Sequence, residues 1–205
     1  MPQPGPRWLA VADLDGGGQR VLFVASDAFP DSTRVELAAA AADALDGVIV
    51  EAHLDDSVTT VHVLPAVAPK APPVWFVELR ENSARPPAVT LLAFAAAAGT
   101  PPAGRVVAEA DAPAGVTSDD QVGAVRWYPA TGEVDQVYVQ PAWRRRSVGT
   151  VLVLAASTLS MARGWPRLWG DGQRTQLGEA WRNASVWRDR TAALTHVAPP
   201  MTPGE

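Results

Sequence analysis

The segment Val137-Tyr138-Val139-Gln140-Pro141-Ala142-Trp143-Arg144-Arg145-Arg146-Ser147-Val148-Gly149-Thr150 carries most of the information in this sequence. An apolar strand pattern ends at Val139, a proline-led loop brings three consecutive arginines, and apolar residues then recur at helical spacing. The pattern predicts a strand, a basic loop and a helix. The first amides of a helix have no internal partner, and the helix dipole makes that end positive. Successive N–H groups in such a loop can encircle a phosphate, and arginine side chains add charge-assisted contacts to a polyanion.

Working outward, the helix runs from about Ser147 to Arg163, with Val148, Val151, Leu152, Ala155 and Leu159 on one stripe. Gly164 ends it and Pro166 prevents its continuation. Upstream, Gln121–Tyr128 and Glu133–Val139 read as a hairpin over Pro129-Ala130-Thr131-Gly132, with glycine suited to a left-handed position. Arg105–Glu109 is a strand, followed by an acidic loop through Asp120. Downstream, Arg167–Gly170 is a short strand. Thr175 can cap a last helix with the stripe Leu177, Ala180, Trp181, Ala184, Trp187, and the tail Ala198–Glu205 is extended.

The first half has a different grammar. RWLAVAD (7–13) and RVLFVAS (20–26) are strands around a glycine-rich turn. A helix is expected next, with caps at Asp31 to Thr33, a Thr33/Glu36 capping box, the stripe Leu37, Ala40, Ala41, Ala44, Leu45, and a stop at Gly47. Val48–Ala52, Val58–Leu64 and Val74–Leu79 are strands, Pro65–Pro73 is an extended connection, and Pro87–Ala98 reads as an apolar helix. Gly99 to Gly104 forms the clearest boundary. The expected division is 1–98 as an N-terminal α/β portion, 103–198 as a core, and 199–205 as a tail. No internal repeat is visible.

Composition narrows the function classes. Hydrophobic residues make up 47% of the 205 and charged residues 19%, which argues for a buried core and against disorder. The absence of cysteine removes disulfides, thiolate metal sites and thiol nucleophiles. A formal charge of −5 argues against general nucleic-acid binding. No apolar run reaches the ~18 residues of a membrane span, and the N-terminus lacks the pattern of a signal peptide. The expectation is a cytoplasmic protein with neither nucleic-acid nor membrane partners. His53, His62 and His196 show no metal-ligand spacing. Five of the eight tryptophans, Trp143, Trp165, Trp169, Trp181 and Trp187, fall in the last third, where they read as core or as an interface for a protein partner or a second copy.

The basic segment resembles the GNAT superfamily of acetyl-CoA-dependent N-acetyltransferases. That family's signature is a strand, then Gln/Arg-x-x-Gly-x-Gly/Ala, then a helix. Arg144-Arg145-Arg146-Ser147-Val148-Gly149 matches it at the first and last positions. The succession of helix, Gly164, short strand and final helix also follows the family's order, so the resemblance covers about residues 105–198. It implies a mixed α/β fold with a central mixed sheet flanked by helices. It also implies acetyl-CoA held where the strands Glu133–Val139 and Arg167–Gly170 splay apart. On this reading Arg144, Arg145, Arg146, Ser147, Val148, Gly149 and Thr150 face the pyrophosphate. The backbone of Val137, Tyr138 and Val139 holds the pantetheine arm and polarises the acetyl carbonyl.

The histone-acetylating branch of the family uses a glutamate on the strand before the loop as general base. Counting back from the motif puts Glu133 at the equivalent position, and Asp135 shares its strand face if no bulge intervenes. Two departures stand out. Ser147 replaces a glycine, which costs about 1–2 kcal/mol if the position needs φ > 0. The family's helix tyrosine, which protonates the departing thiolate, has no counterpart near Asn183; the only tyrosines are Tyr128 and Tyr138. A lost general acid costs about 10²–10⁴ in rate. Two functions therefore follow: acetyl transfer to an amine acceptor by direct attack, or a GNAT-fold protein without chemistry, serving as a structural or binding subunit of a larger assembly such as a virion.

Overall fold

Apolar residues on both faces of Arg7–Asp13 (β1) and Gln19–Ala25 (β2) pair these strands as an antiparallel hairpin, from Arg7↔Ala25 to Asp13↔Gln19. The computed structural model describes residues 6–15, 17–55, 59–184 and 188–198. Arg34–Glu36 (β3) runs parallel to β1, then come the short helix Ala39–Asp43 (α1) and the strands Val48–Leu54 (β4) and Thr59–Val63 (β5). Val74–Glu81 (β6), Ala88–Ala95 (β7), Arg105–Ala108 (β8), Gln121–Trp127 (β9) and Glu133–Val139 (β10) follow. Next are the helix Val148–Ala162 (α2), Trp169–Gly170 (β11), Gln173–Arg174 (β12), the helix Gln176–Ala184 (α3) and His196–Val197 (β13). Eleven strands form one mixed sheet in the order β11-β10-β9-β7-β6-β8-β5-β4-β2-β1-β3, while β12 and β13 pair separately.

The expected α/β class holds, and four local expectations are corrected. The helix from Thr33 to Gly47 gives way to β3 and to an α1 of 5 residues without a side-chain cap. The reason lies in the backbone: the Leu9 amide donates to Thr33 and the Leu37 amide to Val11, so 33–37 satisfies itself on the edge of β1. The apolar helix at Pro87–Ala98 is strand β7, paired with β6 from Val74↔Ala95 to Glu81↔Ala88 and with β9 on its other side. Pro65–Pro73 is not extended but folded into tight turns, with the Val67 and Ala68 amides donating to Leu64 and the Ala71 amide to Ala68. And α2 is not amphipathic: twelve of its 15 residues are buried, Ser157, Thr158 and Ser160 among them.

The sheet contains the same unit twice, which corrects the reading of no repeat. In the first unit the hairpin β1–β2 takes β3 parallel on β1 and β4 antiparallel on β2, and β5 then pairs with β4. In the second the hairpin β6–β7 takes β8 parallel on β6 and β9 antiparallel on β7, and β10 then pairs with β9. Equivalent positions keep traces of each other: Trp8 and Trp75, and Val61-His62-Val63-Leu64-Pro65-Ala66 and Val137-Tyr138-Val139-Gln140-Pro141-Ala142. Trp8 meets Phe29 at 4.7 Å and Trp75 meets Phe94 at 4.8 Å, each in a small apolar cluster separate from the one that holds α2. The units join through β5 and β8 at Thr59↔Val106 and Thr60↔Arg105, so residues 99–104, read as a boundary, connect two strands of one continuous sheet.

Helix α2 lies over both units. One core joins Leu9, Val21 and Phe23 of the first, Leu91, Val125 and Trp127 of the second, and Leu152, Ala155 and Leu159 of the helix. The largest side chains buried in the sheet are Trp8, Trp75 and Trp127, not the tryptophans of the last third. At its far end the Ala162 carbonyl accepts from Arg34 at 3.1 Å. Asp31 of the first unit accepts from the Arg7 amide at 3.0 Å and pairs with Arg167 and Arg190, which ties the C-terminal segment to that unit. No helix among the described residues is long and apolar enough to cross a membrane.

Candidate active site

Strand β10 is an edge strand along most of its length. Its partner on one side is β9. On the other side β11 pairs with it in parallel at Glu133↔Trp169 and Val134↔Gly170 only. Gly132 makes this approach feasible: its φ is +74°, and a Cβ there would sit 2.2 Å from the Arg167 carbonyl oxygen. Beyond Val134 the two parallel strands diverge. The Gln140 amide donates to Val122 of β9 at 3.1 Å. By alternation Val137 and Val139 therefore turn their amides to the open side.

The register of β10 against β9 shifts between Val134 and Gln136, so Asp135 is the extra residue of a bulge. Glu133 and Asp135 share a strand face only where no bulge intervenes. A bulge is present, and Asp135 is bound elsewhere. One oxygen accepts from Arg126 Nη1 at 2.6 Å and the other from the Tyr128 hydroxyl at 2.9 Å. Arg126 in turn holds Glu81 in a two-pronged pair at 3.0 Å and 3.0 Å, and Thr90 donates to Glu81 at 2.8 Å. Arg126 hydrogen bonds hold the Glu81 carboxyl below the usual carboxylate range, and Glu81 holds the guanidinium above its ordinary value. Glu133 lies one turn residue from Gly132, opposite Tyr128 and beside Trp169, half-buried.

The loop after β10 begins with a single 310 turn, Pro141–Trp143, and then folds back on the strand. Arg144 Nε donates to the Val139 carbonyl at 3.1 Å. Arg145 and Ser147 both take left-handed backbone, with φ of 60° and 57°, so the condition attached to Ser147 is met. Arg146 lies over the Trp143 ring at 5.2 Å. Arg145 and Arg146 are exposed. Ser147 gives no side-chain cap to α2, and the amides of Val148, Gly149 and Thr150 at the helix start have no i−4 carbonyl within the helix. A Cβ on Gly149 would meet only ordinary contacts, 3.5 Å from Trp181 Nε1 and 3.7 Å from Val139.

The loop, the first turn of α2 and the open edge of β10 thus converge through Val139, Arg144 and Gly149, whereas Glu133 stands at the opposite end of β10, about 20 Å along the strand. Thr175 caps α3 as expected, accepting from the Gly178 amide at 3.0 Å. Helix α3 sets Trp181, not a tyrosine, against the start of α2, its Nε1 3.4 Å from Thr150 Oγ1. Trp187 and nearly all of the tail 198–205 lie outside the described residues. The network of Glu81, Arg126 and Asp135 was not foreseen. Nothing in the local sequence marks it, because only the pairing of β7 with β9 brings Glu81 to Arg126.

A parallel pair that separates beside an arginine-rich loop and a helix start without a side-chain cap belongs here to an α/β protein built on one mixed sheet. The family model of the acetyltransferase (GNAT) family matches residues 72–177, more than half of the chain, and the chain belongs to that family. The match takes in the hairpin β6–β7, which the resemblance over 105–198 had left out, and stops in the first turn of α3. No curated protein and no solved structure matches the chain.

Proposed function

We propose that this protein transfers an acetyl group from acetyl-CoA to an amine by direct attack. The observation that carries this reading is the open edge of β10 at Val137 and Val139, running without interruption into the loop and the uncapped start of α2. The residues present fit the coenzyme. Two residues, Arg145 and Ser147, take left-handed backbone in the loop, Arg145 and Arg146 add positive charge, and protein packing alone leaves room for a Cβ at Gly149. Glycine there leaves space for a close approach by phosphate.

Bound acetyl-CoA would supply the acetyl thioester, whose carbonyl carbon the amine would attack as the C–S bond breaks and coenzyme A leaves as its thiolate, which takes its proton from solvent. The chain's own contribution starts with the amides of Val148, Gly149 and Thr150 and the side chains of Arg145 and Arg146, which bind the pyrophosphate. Arg144 holds the loop against Val139. The Val137 and Val139 amides bind the pantetheine arm, and the Val137 amide polarises the acetyl carbonyl. Glu133 takes the proton from the amine through water. Asp135 is a fixed anion that holds Arg126 and Tyr128, because both its oxygens are already engaged. With no cysteine in the chain, no acyl group passes through a thiol of the protein.

Calorimetric titration of acetyl-CoA into the purified chain, beside an Arg146→Ala, Gly149→Trp double variant, tests the reading. Micromolar binding that disappears in the variant is the expected result. No heat and no thermal shift at millimolar ligand would overturn it.

A further inference from the structure

The two units hold their strands in the same register, so the filled edge of one shows what the open edge of the other accepts. On β4, Val50 pairs with Val63 and Ala52 with Val61; on β9, Gly123 pairs with Val139 and Val125 with Val137. Both hairpins shift register at the same place, between Phe23 and Val24 and between Ala93 and Phe94. The Leu64 amide donates to Ile49 at 2.9 Å, as the Gln140 amide donates to Val122 at 3.1 Å. Val61, His62 and Val63 therefore correspond to Val137, Tyr138 and Val139. The valines of both strands pack into the core that holds α2, so His62 and Tyr138 both project from the opposite face of the sheet.

In the first unit the far side of the strand is occupied by the chain itself. Arg105 and Val106 run antiparallel to β5 at Thr60 and Thr59, and the Val61 amide donates to the Gly104 carbonyl at 2.8 Å. The atom before that carbonyl, Gly104 Cα, faces the His62 ring. A Cβ built on it would stand 2.3 Å from Cε1 and 2.6 Å from Nδ1 of His62. This edge thus takes a chain whose carbonyl meets the Val61 amide and whose preceding atom is unbranched.

At β10 the corresponding edge is open and the corresponding amide is that of Val137. The basic loop follows the end of β10. A coenzyme whose pyrophosphate sits in that loop lays its arm from Gln140 toward Glu133, antiparallel to the strand as residues 104–106 are to β5. With the thioester carbonyl on the Val137 amide, the atom before the carbonyl is the sulfur. Sulfur carries no branch and packs favourably on an aromatic ring.

We propose that Tyr138 is a positioning residue for the thioester, its ring resting on the coenzyme sulfur and keeping the carbonyl on the Val137 amide. The inference rests on the acetyl-transfer reading and adds a side-chain role to a residue whose backbone alone had been engaged. It also fixes the stoichiometry: with the β5 edge filled by Gly104, each chain holds one coenzyme.

The test compares coenzyme A with desulfo-coenzyme A, which lacks only the sulfur, by calorimetry on the full chain. The parent should bind coenzyme A about threefold to tenfold more tightly, at one site per chain. Tyr138→Ala should bring that ratio to about one, and Tyr138→Phe should keep it, because the ring does the packing. A merely structural role for Tyr138 would weaken both ligands equally and leave the ratio unchanged. Binding of desulfo-coenzyme A by Tyr138→Ala reports that the variant is folded; Tyr138→Leu, which keeps more of the bulk, replaces it if it is not. A parent ratio of one, a ratio unchanged on removing the ring, a ratio lost in Tyr138→Phe, or two sites per chain each overturns the proposal. Failure of both coenzyme A and acetyl-CoA to bind the parent is failure of the acetyl-transfer reading and takes this inference with it. Binding of both, together with any of the four results above, is failure of this inference alone.

Discussion

Arg144 donates its Nε proton to the carbonyl of Val139 at 3.1 Å, bending the basic loop back onto the strand it leaves. Arg144 therefore has a structural duty that its two neighbours lack. Arg145 is exposed, and Arg146 stacks on Trp143. Arg146→Ala should lower acetyl-CoA affinity by about tenfold at low salt, and by less at high salt, where charge pairs are screened. Its melting temperature should stay close to that of the parent. Arg144→Ala should lower affinity and also cost about 1 kcal/mol of stability through the lost hydrogen bond. Calorimetry at two salt concentrations, with thermal denaturation of both variants, separates the two roles. Equal melting losses in both would contradict the division.

Ser147 begins α2 with φ of 57° and without capping it. A side chain in left-handed backbone costs about 1–2 kcal/mol that glycine avoids. Because no side-chain cap is lost, Ser147→Gly should stabilise the protein by about 1 kcal/mol. Thermal denaturation measures this directly, and a lower melting temperature would mean that the serine hydroxyl holds something the backbone geometry does not reveal.

Glu133 and Asp135 are two residues apart, yet their surroundings assign them different tasks. Asp135→Asn removes a charge that Arg126 and Tyr128 both address. The pair is partly exposed, so the expected loss is about 1 kcal/mol in stability, with only a modest change in rate. Glu133→Gln should leave stability nearly unchanged and lower the transfer rate about 10²–10⁴-fold. Its pH–rate profile should lose the limb that reports the base. A fall in rate for Asp135→Asn as deep as that for Glu133→Gln would instead give Asp135 the proton.

The second unit was legible where local pattern and tertiary role agree. The hairpin β9–β10 announced itself through alternation and a glycine turn, and α2 through its helical spacing and stop signals. Strand β7 was not legible. Ala88–Ala95 is buried on both faces between β6 and β9, and a strand covered on both faces loses its period-two signature. Its alanines then favour a helix on propensity, with Val89, Thr90 and Phe94 as the counter-signal. The same override removed the helix after Asp31, because the edge of β1 offered the backbone partners that a short alanine run could not supply alone. The repeat escaped notice because its two copies share pairing geometry while keeping few residues in common. In the candidate site, the loop arginines and Gly149 could be read from sequence. The bulge at Asp135 and its partners across β9 could not, since both are products of strand register.

Asp31 shows how the first unit supports the cleft of the second. It receives the Arg7 amide and pairs with Arg190, whose side chain is 2% exposed, and with Arg167, two residues before β11. Burial pulls Arg190 down to about 10, which marks how much this cation depends on its carboxylate. For Asp31, burial alone would raise the carboxyl, but the Arg7 amide and the guanidiniums of Arg190 and Arg167 outweigh it and hold the group below its ordinary value. A carboxyl whose folded value is depressed adds stability that is present above its unfolded value and lost as pH falls through the folded one. The acid limb of the stability curve should therefore steepen below about pH 4, and Asp31→Asn should flatten that part of the limb. At neutral pH the same variant leaves a buried arginine without its carboxylate and should cost about 3 kcal/mol. Because Arg167 leads directly into the strand that pairs with Glu133 and Val134, loosening it should also widen the divergence of β11 from β10 and weaken acetyl-CoA binding. Denaturant melts from pH 3 to neutrality, set beside titrations of Asp31→Asn with acetyl-CoA, measure both effects. Unchanged acid stability together with unchanged affinity would mean that the first unit is a neighbour of the cleft and not its support.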